Sequence, residues 1–394
     1  MSTSTKPSIC IITPEYPPQF GGLGRSVHRI AHGLSARGFF VTIVVMPEIV
    51  VPVEESVSSI HTRWDNSIEV YELYSPIRGA KTRPELTTAY FEWLTSFAIQ
   101  RRFDFLQSFF IGVHSFLAGL VAYEAGITFI ASVRGDDLHK RLFRGEQFEY
   151  IRWTFEHAHS VTFVGSELQR RGHVIANISG ISRVIWNSID LRDSKELPIP
   201  RDKGSRQLPV VGCVGRHRRK KGVDILLAAC ERLIMPVEVR LIGSFALDEE
   251  PYWSNLLRNY ERKGLNIKVT GELSYEETIQ EYNSLAVLAI PSLHDGCPNV
   301  LLEGMALGVP IVGTRAGAIG DVLDASRAGI VVEPGNVVDL AEAINTIISN
   351  VVLQEEYSKR GFSFVRQAWT LENEISAWIS LYDELTGNVM GRLG

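Results

Sequence analysis

The chain reads as two doubly wound α/β domains, one after the other. It has 394 residues, enough for two or three domains. A strand–loop–helix opening occurs twice, at Ile9-Cys-Ile-Ile-Thr13 and again at Val210-Val-Gly-Cys-Val214. After each opening, short apolar runs alternate with helical patterns, the order that builds a mostly parallel sheet covered by helices.

The first opening begins with Ile9 to Thr13, whose unbroken apolar run suits a parallel strand buried on both faces. A Pro/Gly loop follows from Pro14 to Gly24. Val27, Ile30, Ala31 and Leu34 then recur at helical spacing, and Gly38 ends the helix. Val41 to Val45 and Phe129 to Val133 predict further strands. The stretch Pro84 to Arg102 predicts a helix with Leu86, Tyr90, Trp93, Leu94 and Phe97 on one face. The segment Asp193 to Leu208 carries Pro198, Pro200, Gly204 and many charges, and reads as an interdomain linker.

The second opening is Val210 to Val214, then a loop from Gly215 to Gly222, then a helix with Ile225, Leu226, Ala229 and Leu233. Val237 to Ile242, Ile267 to Thr270, Val287 to Ile290 and Ile311 to Gly313 predict its other strands. The last segment, Leu371 to Leu385, places Ile375, Trp378, Ile379 and Tyr382 on one helical face. That face must bury, either on its own domain or back on the first. The expected domains are 1–192 together with 371–394, a linker at 193–208, and 209–370.

Composition narrows the function. The chain is 45% hydrophobic and 22% charged, with net charge −5, so nothing points to nucleic acid. Cys10, Cys213, Cys230 and Cys297 are widely spaced and form no C-x-x-C pair, which predicts reduced thiols rather than a zinc site or disulfide framework. The N-terminus has no apolar signal-peptide core, and no run of about 18 apolar residues appears. A cytoplasmic protein is expected. Arg101, Arg102, Arg141 and Arg144 lie near Phe103, Phe105 and Phe143, which reads either as ordinary surface or as peripheral docking on the inner face of a membrane. His139, His157 and His159 lack metal-ligand spacing, so no metal is expected there.

Ligands of open α/β sheets bind outside the carboxyl ends of the strands. The loops 14–24, 134–137, 215–222, 271–273 and 293–300 all fall at such ends. In Gly215-Arg216-His-Arg-Arg-Lys-Lys221-Gly222, Arg216 offers a planar fork and Lys221 a compact charge, a pair suited to a diphosphate. His217, Arg218, Arg219 and Lys220 read as a solvated basic patch. In Asp295-Gly-Cys297-Pro298-Asn299-Val300-Leu301-Leu-Glu303, Pro298 suits a first helical turn whose free N–H groups attract an anion, with carboxylates on either side. Gly308 and Pro310 stop that helix. Phosphates beside hydroxyl-binding carboxylates describe a sugar nucleotide. Gly21, Gly22 and Gly24 let backbone approach a ligand, though without the G-x-G-x-x-G spacing of a dinucleotide fold.

Taken together, Gly21-Gly22-Leu23-Gly24, Gly215-Arg216 to Lys221-Gly222 and Asp295 to Glu303-Gly-Met-Ala-Leu-Gly-Val-Pro310 resemble family 4 of the retaining glycosyltransferases. Val184-Ile-Trp-Asn187-Ser-Ile-Asp190 and Val269-Thr-Gly271-Glu272-Leu273 add to the likeness, which runs from about Ile9 to about Leu385. The resemblance implies the GT-B fold, two Rossmann-like domains facing across a cleft, with the C-terminal helix crossing back to the first domain. It implies that Arg216 and Lys221 bind the diphosphate and that Glu303 holds the ribose hydroxyls. Asp295 would hold sugar hydroxyls near the reacting carbon. Asn299, Val300 and Leu301 would offer amides to the phosphate, with Cys297 and Pro298 in the same loop. Gly22, Leu23 and Gly24 would close over the donor, and Glu272 and Leu273 would line the base pocket. No metal and no cofactor beyond the nucleotide sugar, with UDP-glucose the best guess, is implied. The acceptor would be a saccharide or a lipid-linked saccharide.

Two departures stand out. Asp295 replaces the Glu common in the family, one methylene shorter. Arg134-Gly135-Asp136-Asp137 stands where His-Gly is common, so Arg134 either bonds the donor sugar or pairs with Asp136 or Asp137. Asp104-Phe-Leu-Gln107-Ser-Phe109 stands where His-x-His often occurs. His114 and Asp136 remain as candidate acceptor or sugar contacts, with a structural role the alternative for His114. A nucleotide-sugar epimerase and a non-catalytic sugar-nucleotide binder remain alternative functions.

Overall fold

The structure is a computed structural model that describes residues 6–18, 22–46, 60–73, 83–139, 141–189 and 208–392. The chain divides into two compact units, Met1–Asn187 with Leu371–Gly394, and Ser188–Thr370. The stretch expected as linker lies outside the described residues as far as residue 207.

The first unit holds eight strands among the described residues: β1 (Ser8–Thr13), β2 (Phe40–Val45), β3 (His61–Asp65), β4 (Ile68–Glu72), β5 (Phe105–Phe109), β6 (Thr128–Val133), β7 (Ser160–Phe163) and β8 (Ser182–Val184). Their order is β3-β4-β2-β1-β5-β6-β7-β8. Every pairing is parallel except β3 with β4. The central strands are buried on both faces, which explains why Ile9, Ile11, Ile43, Phe105 and Ile130 read as apolar runs rather than as alternation.

The helix Gly22–Ser35 packs Val27, Ile30, Ala31 and Leu34 onto this sheet. The terminal helix Leu371–Arg392 packs onto it as well. Ile375, Trp378, Leu381, Tyr382 and Leu385 belong to the first unit's core. Arg29 and Glu374 pair at 2.9 Å, and the Tyr382 hydroxyl donates to Gln107 Oε1 in the interior. The apolar face of the last helix therefore buries on the first unit rather than on the second.

The second unit is a wholly parallel sheet of β9 (Val210–Val214), β10 (Glu238–Ile242), β11 (Asn266–Gly271), β12 (Val287–Ile290), β13 (Ile311–Thr314) and β14 (Gly329–Val332). The order is β11-β10-β9-β12-β13-β14. Its core gathers Val211, Val223, Leu226, Val239, Leu241, Val287, Val312 and Ile344.

The predicted strands β1, β2, β6, β9, β10, β11, β12 and β13 appear within a residue or two of their expected limits. The β3–β4 hairpin, β5, β7 and β14 were not expected. The hairpin contains charged residues, its β3 has an exposed and half-buried pattern, and it adds to the sheet edge, so no apolar run marks it. In the stretch resembling the family's strand before the linker, only Ser182–Val184 is strand; residues 185–188 carry no regular element.

The aromatic and basic patch near Arg101 does not form one exposed face. Phe103 and Phe105 are core residues, and Arg101 pairs with Glu69 at 2.7 Å. Phe143 is exposed, beside an exposed Arg144. Among the described residues no single helix is long and apolar enough to cross a membrane. All four cysteines are buried and no disulfide links them.

Candidate active site

In a doubly wound sheet the chain turns left and right from its first strand, and the carboxyl ends of the two strands at that point leave a crevice. In the second unit, β9 lies between β10 and β12, so this switch point lies between β9 and β12. The loops leaving those two strands are 215–222 and 291–298, the two that carry the candidate charges.

The two loops are joined. The Leu293 N–H donates to the Lys220 carbonyl at 2.8 Å. Gly222 sits at φ +68°, and any Cβ there would run into the carbonyl of Pro291. Only glycine permits both the left-handed backbone and this approach. At the junction Lys221 Nζ donates to Asp295 Oδ2 at 2.5 Å. The Ser292 hydroxyl donates to the same oxygen at 3.2 Å, and the Gly296 amide donates to Oδ1 at 3.0 Å. Burial alone would raise the Asp295 pKa, but the Lys221 ammonium and its hydrogen bond outweigh it, so the carboxyl is held below its usual range.

Of the remaining basic loop, Arg216 and Arg218 are exposed. One residue expected in the solvated patch is not there. His217 is 1% exposed, with its ring 5.0 Å from that of Phe245. Burial, and then Lys221, push its pKa down to about 4, so it is neutral. Arg219 is exposed, as expected; its guanidinium lies 4.1 Å above the Tyr252 ring, and its amide donates to Glu249 at 2.9 Å. His217 is buried for a local reason. The His217 backbone exchanges hydrogen bonds with Ser244 and Ala246, which turns one face of the loop inward.

The helix Asn299–Ala306 starts one residue later than expected, because Pro298 is its N-cap rather than its first helical residue. No side chain caps this start, which leaves the positive end of its dipole without a side-chain oxygen. The Leu301 N–H, expected to serve a phosphate, donates to the Pro298 carbonyl at 3.1 Å. Asn299 and Val300 remain the candidate amides. Cys297 is buried. Glu303 accepts a 2.8 Å hydrogen bond from the Tyr282 hydroxyl. Tyr282 is fully buried on the helix Tyr275–Ser284, which begins just after Glu272 and Leu273. This places the proposed ribose and base residues on neighbouring elements of one unit.

The first-unit candidates form a separate set. Gly22 opens its helix and is exposed, Leu23 is half-buried and Gly24 buried; Gly21 lies outside the described residues. The Arg134 guanidinium lies 5.2 Å from the Phe109 ring and donates to Asn187 Oδ1. Asp137 is fully buried, and its carboxylate accepts from the amides of Ile111, Arg134 and Gly135 at 3.1, 2.8 and 2.6 Å. It thus locks the β5 and β6 loops together through backbone. Asp136 lies on the short helix Asp136–His139, and its side chain is outside the described set. His114 is 1% exposed, with Nε2 3.2 Å from the Phe109 carbonyl. That burial suits the structural alternative better than a contact with an acceptor.

Two doubly wound units in one chain, one of them with paired charges at its switch point, define the GT-B class. Solved structures agree. Sucrose-phosphate synthase from Thermosynechococcus elongatus superimposes with TM-score 0.80 at 17% identity, covering 97% of this chain and 100% of that one. Anabaena HepE in complex with UDP and glucose gives TM-score 0.73 at 17% identity over 98% and 100%. At such identities the likeness establishes the fold.

The model of Glycosyltransferase Family 4 matches residues 20–193, and that of Glycosyl transferases group 1 matches residues 208–350. The chain belongs to the family 4, group 1 glycosyltransferases. Among its relatives, sulfoquinovosyl transferase SQD2 of Arabidopsis thaliana is 28% identical over 206 residues, 50% of this chain and 38% of that protein. D-inositol 3-phosphate glycosyltransferase of Corynebacterium urealyticum is 28% identical over 192 residues, 45% and 43%. A glycosyltransferase of Methanocaldococcus jannaschii is 28% identical over 175 residues, 44% and 47%. The matched stretches thus span less than half of each of these relatives.

Proposed function

We propose that the protein is a retaining glycosyltransferase that moves a hexose, glucose from UDP-glucose as the first donor to test, to a saccharide or lipid-linked saccharide. One observation carries the reading: Lys221 and Asp295, 74 positions apart, meet at 2.5 Å at the switch point of the second unit. Sugar transfer from a nucleotide diphosphate needs charge neutralisation at the leaving group and hydroxyl acceptors at the sugar. Lys221, Arg216 and the uncapped start of the helix Asn299–Ala306 supply the first. Asp295 and Glu303 supply the second. HepE, which shares the fold, has been captured with UDP and glucose, which supports the choice of donor. The proposal includes no cofactor besides the nucleotide sugar.

In this reading the arriving diphosphate draws Lys221 from Asp295 and frees that carboxylate for the sugar. The acceptor's proton leaves to the departing phosphate on the same face, which retains configuration without a protein nucleophile. The acceptor is chosen by the first unit, and the Arg134 loop contacts the sugar.

The test is UDP release from UDP-glucose in the presence of candidate acceptors. Lys221→Ala should lower turnover at least about 100-fold, the scale for removing one charge-stabilising group, and Glu303→Ala should lower it by removing the ribose acceptor. Unchanged turnover in both would end this mechanism. Tight UDP binding without release under any acceptor would favour the non-catalytic binder.

A further inference from the structure

The first unit carries a second constellation, built from side chains that the reading above does not use. His28 and His32 lie four residues apart on the helix Gly22–Ser35 and so share one face. Asp65 ends β3, the edge strand of the sheet, and meets that face. His32 Nε2 lies 3.0 Å from Asp65 Oδ2, and His28 Nε2 lies 3.4 Å from the same oxygen. The ligand atoms of all three residues fall within 4.8 Å of one another. The buried Tyr16 places its hydroxyl on that same Oδ2 at 2.8 Å.

One carboxylate oxygen thus faces two imidazole nitrogens and a phenol. A single hydrogen bond accounts for His32, but not for the second imidazole beside it. Metal chemistry accounts for the gathering. Zinc takes nitrogen at 2.0–2.1 Å and carboxylate oxygen at 2.0–2.2 Å in a tetrahedron, so its ligand atoms stand about 3.4 Å apart. The two His–Asp separations lie at that value or a few tenths below it. Tyr16 then holds the carboxylate, as outer-shell groups commonly do in such sites. The neighbouring cation, Arg63, is 2.9 Å from Glu72, which offsets its charge.

We propose that His28 Nε2, His32 Nε2 and Asp65 Oδ2 bind one divalent transition-metal ion, zinc being the first candidate, with water in the fourth position. Two imidazoles and one carboxylate suit zinc, nickel or copper, and not the oxygen-seeking magnesium or calcium. The ion clamps the β3–β4 hairpin onto the helix that opens the first unit. The site is distinct from the residues assigned to sugar transfer, and its test needs no turnover, so either reading can fail alone.

The test is calorimetric titration of chelator-stripped full-length protein with ZnCl2, and separately with MgCl2. One zinc per chain and no magnesium binding are expected. His28→Ala, His32→Ala and Asp65→Asn should each weaken zinc binding by more than about tenfold, and Tyr16→Phe by about tenfold. Cobalt(II) should give visible d–d bands of a low-coordinate site, lost in the three ligand variants. Melting curves of the metal-free variants check that each is folded; His28, the most exposed ligand at 42%, is the variant least able to disturb the fold. No zinc binding by the wild type, or equal binding by folded His28→Ala and His32→Ala, overturns the proposal.

Discussion

The two units share a doubly wound plan but organise their strand ends by different means. In the first, Asp137 binds three backbone amides and ties the β5 and β6 loops together. In the second, Lys221 and Asp295 tie the β9 and β12 loops together by charge. A carboxylate saturated by amides is a structural fixture. A lysine–carboxylate pair can be opened by a stronger anion, which makes the second switch point the better ligand seat. The contrast extends to helix starts. Gly112, Arg144 and Gly165 in the first unit provide no side-chain cap, whereas in the second Ser274, Asn336 and Asn350 do and Gly222, Glu249 and Gly317 do not. At the charged switch point neither Gly222 nor Pro298 provides one, so both helix starts there lack a side-chain cap.

The comparison can be broken at several points. The largest effect is expected in the first unit, whose core is completed by the last helix. Trp378 is fully buried there, and Trp378→Ala should cost about 3–5 kcal/mol. Hydrogen exchange should show the loss in residues 6–187 while the second unit keeps its protection; equal loss in both would show that the units do not unfold separately.

Next comes the buried His217 of the second unit. Its pKa in the fold is about 4, against 6.5 unfolded, so the unfolded chain takes up the proton first as pH falls. Stability should therefore fall from pH 6.5 to pH 4, by about 3 kcal/mol at 1.36 kcal/mol per pKa unit. His217→Phe should flatten that slope in denaturant titrations run across this window. An unchanged slope would place the titration elsewhere.

Smaller is the charge pair itself. Lys221→Met should cost about 1–3 kcal/mol, between buried and exposed pairs, since the side chains are 26% and 12% exposed. Asp295 has a lowered pKa, so its contribution is present above pH 3.8 and is lost as pH falls through its folded pKa. The difference between wild type and variant should close in that acid range. A difference that persists there would be packing rather than charge. Least of all, Asn336→Ala removes a cap that accepts from Val338 and Asp339, both at 3.1 Å, and should cost about 1 kcal/mol. Thermal melts of the second unit would detect it.

Much of the site was legible because its signals are local. Arg216, Lys221 and Asp295 stand in loops next to strands that short apolar runs reveal, and Glu303 lies on the helix that follows one of them. The burial of His217 was not legible, since a basic run looks solvated until Ser244 and Ala246 are brought beside it. Nor was the His28, His32 and Asp65 cluster. A His-x-x-x-His spacing on a helix was its available signal, but the third member sits on a polar edge strand that no hydrophobic pattern announces.

The chain by itself determined most of the buried parallel strands, the loops that leave them, and that the last helix needs an apolar surface to cover. These follow from periodicity and from glycine and proline placement, which act over a few residues. The tertiary structure alone decided that this helix covers the first unit, pairing Arg29 with Glu374 across 345 positions, and that Lys221 reaches Asp295 across 74. Such meetings depend on strand order and crossover, and those are settled when whole elements compete for burial, a competition no local window contains.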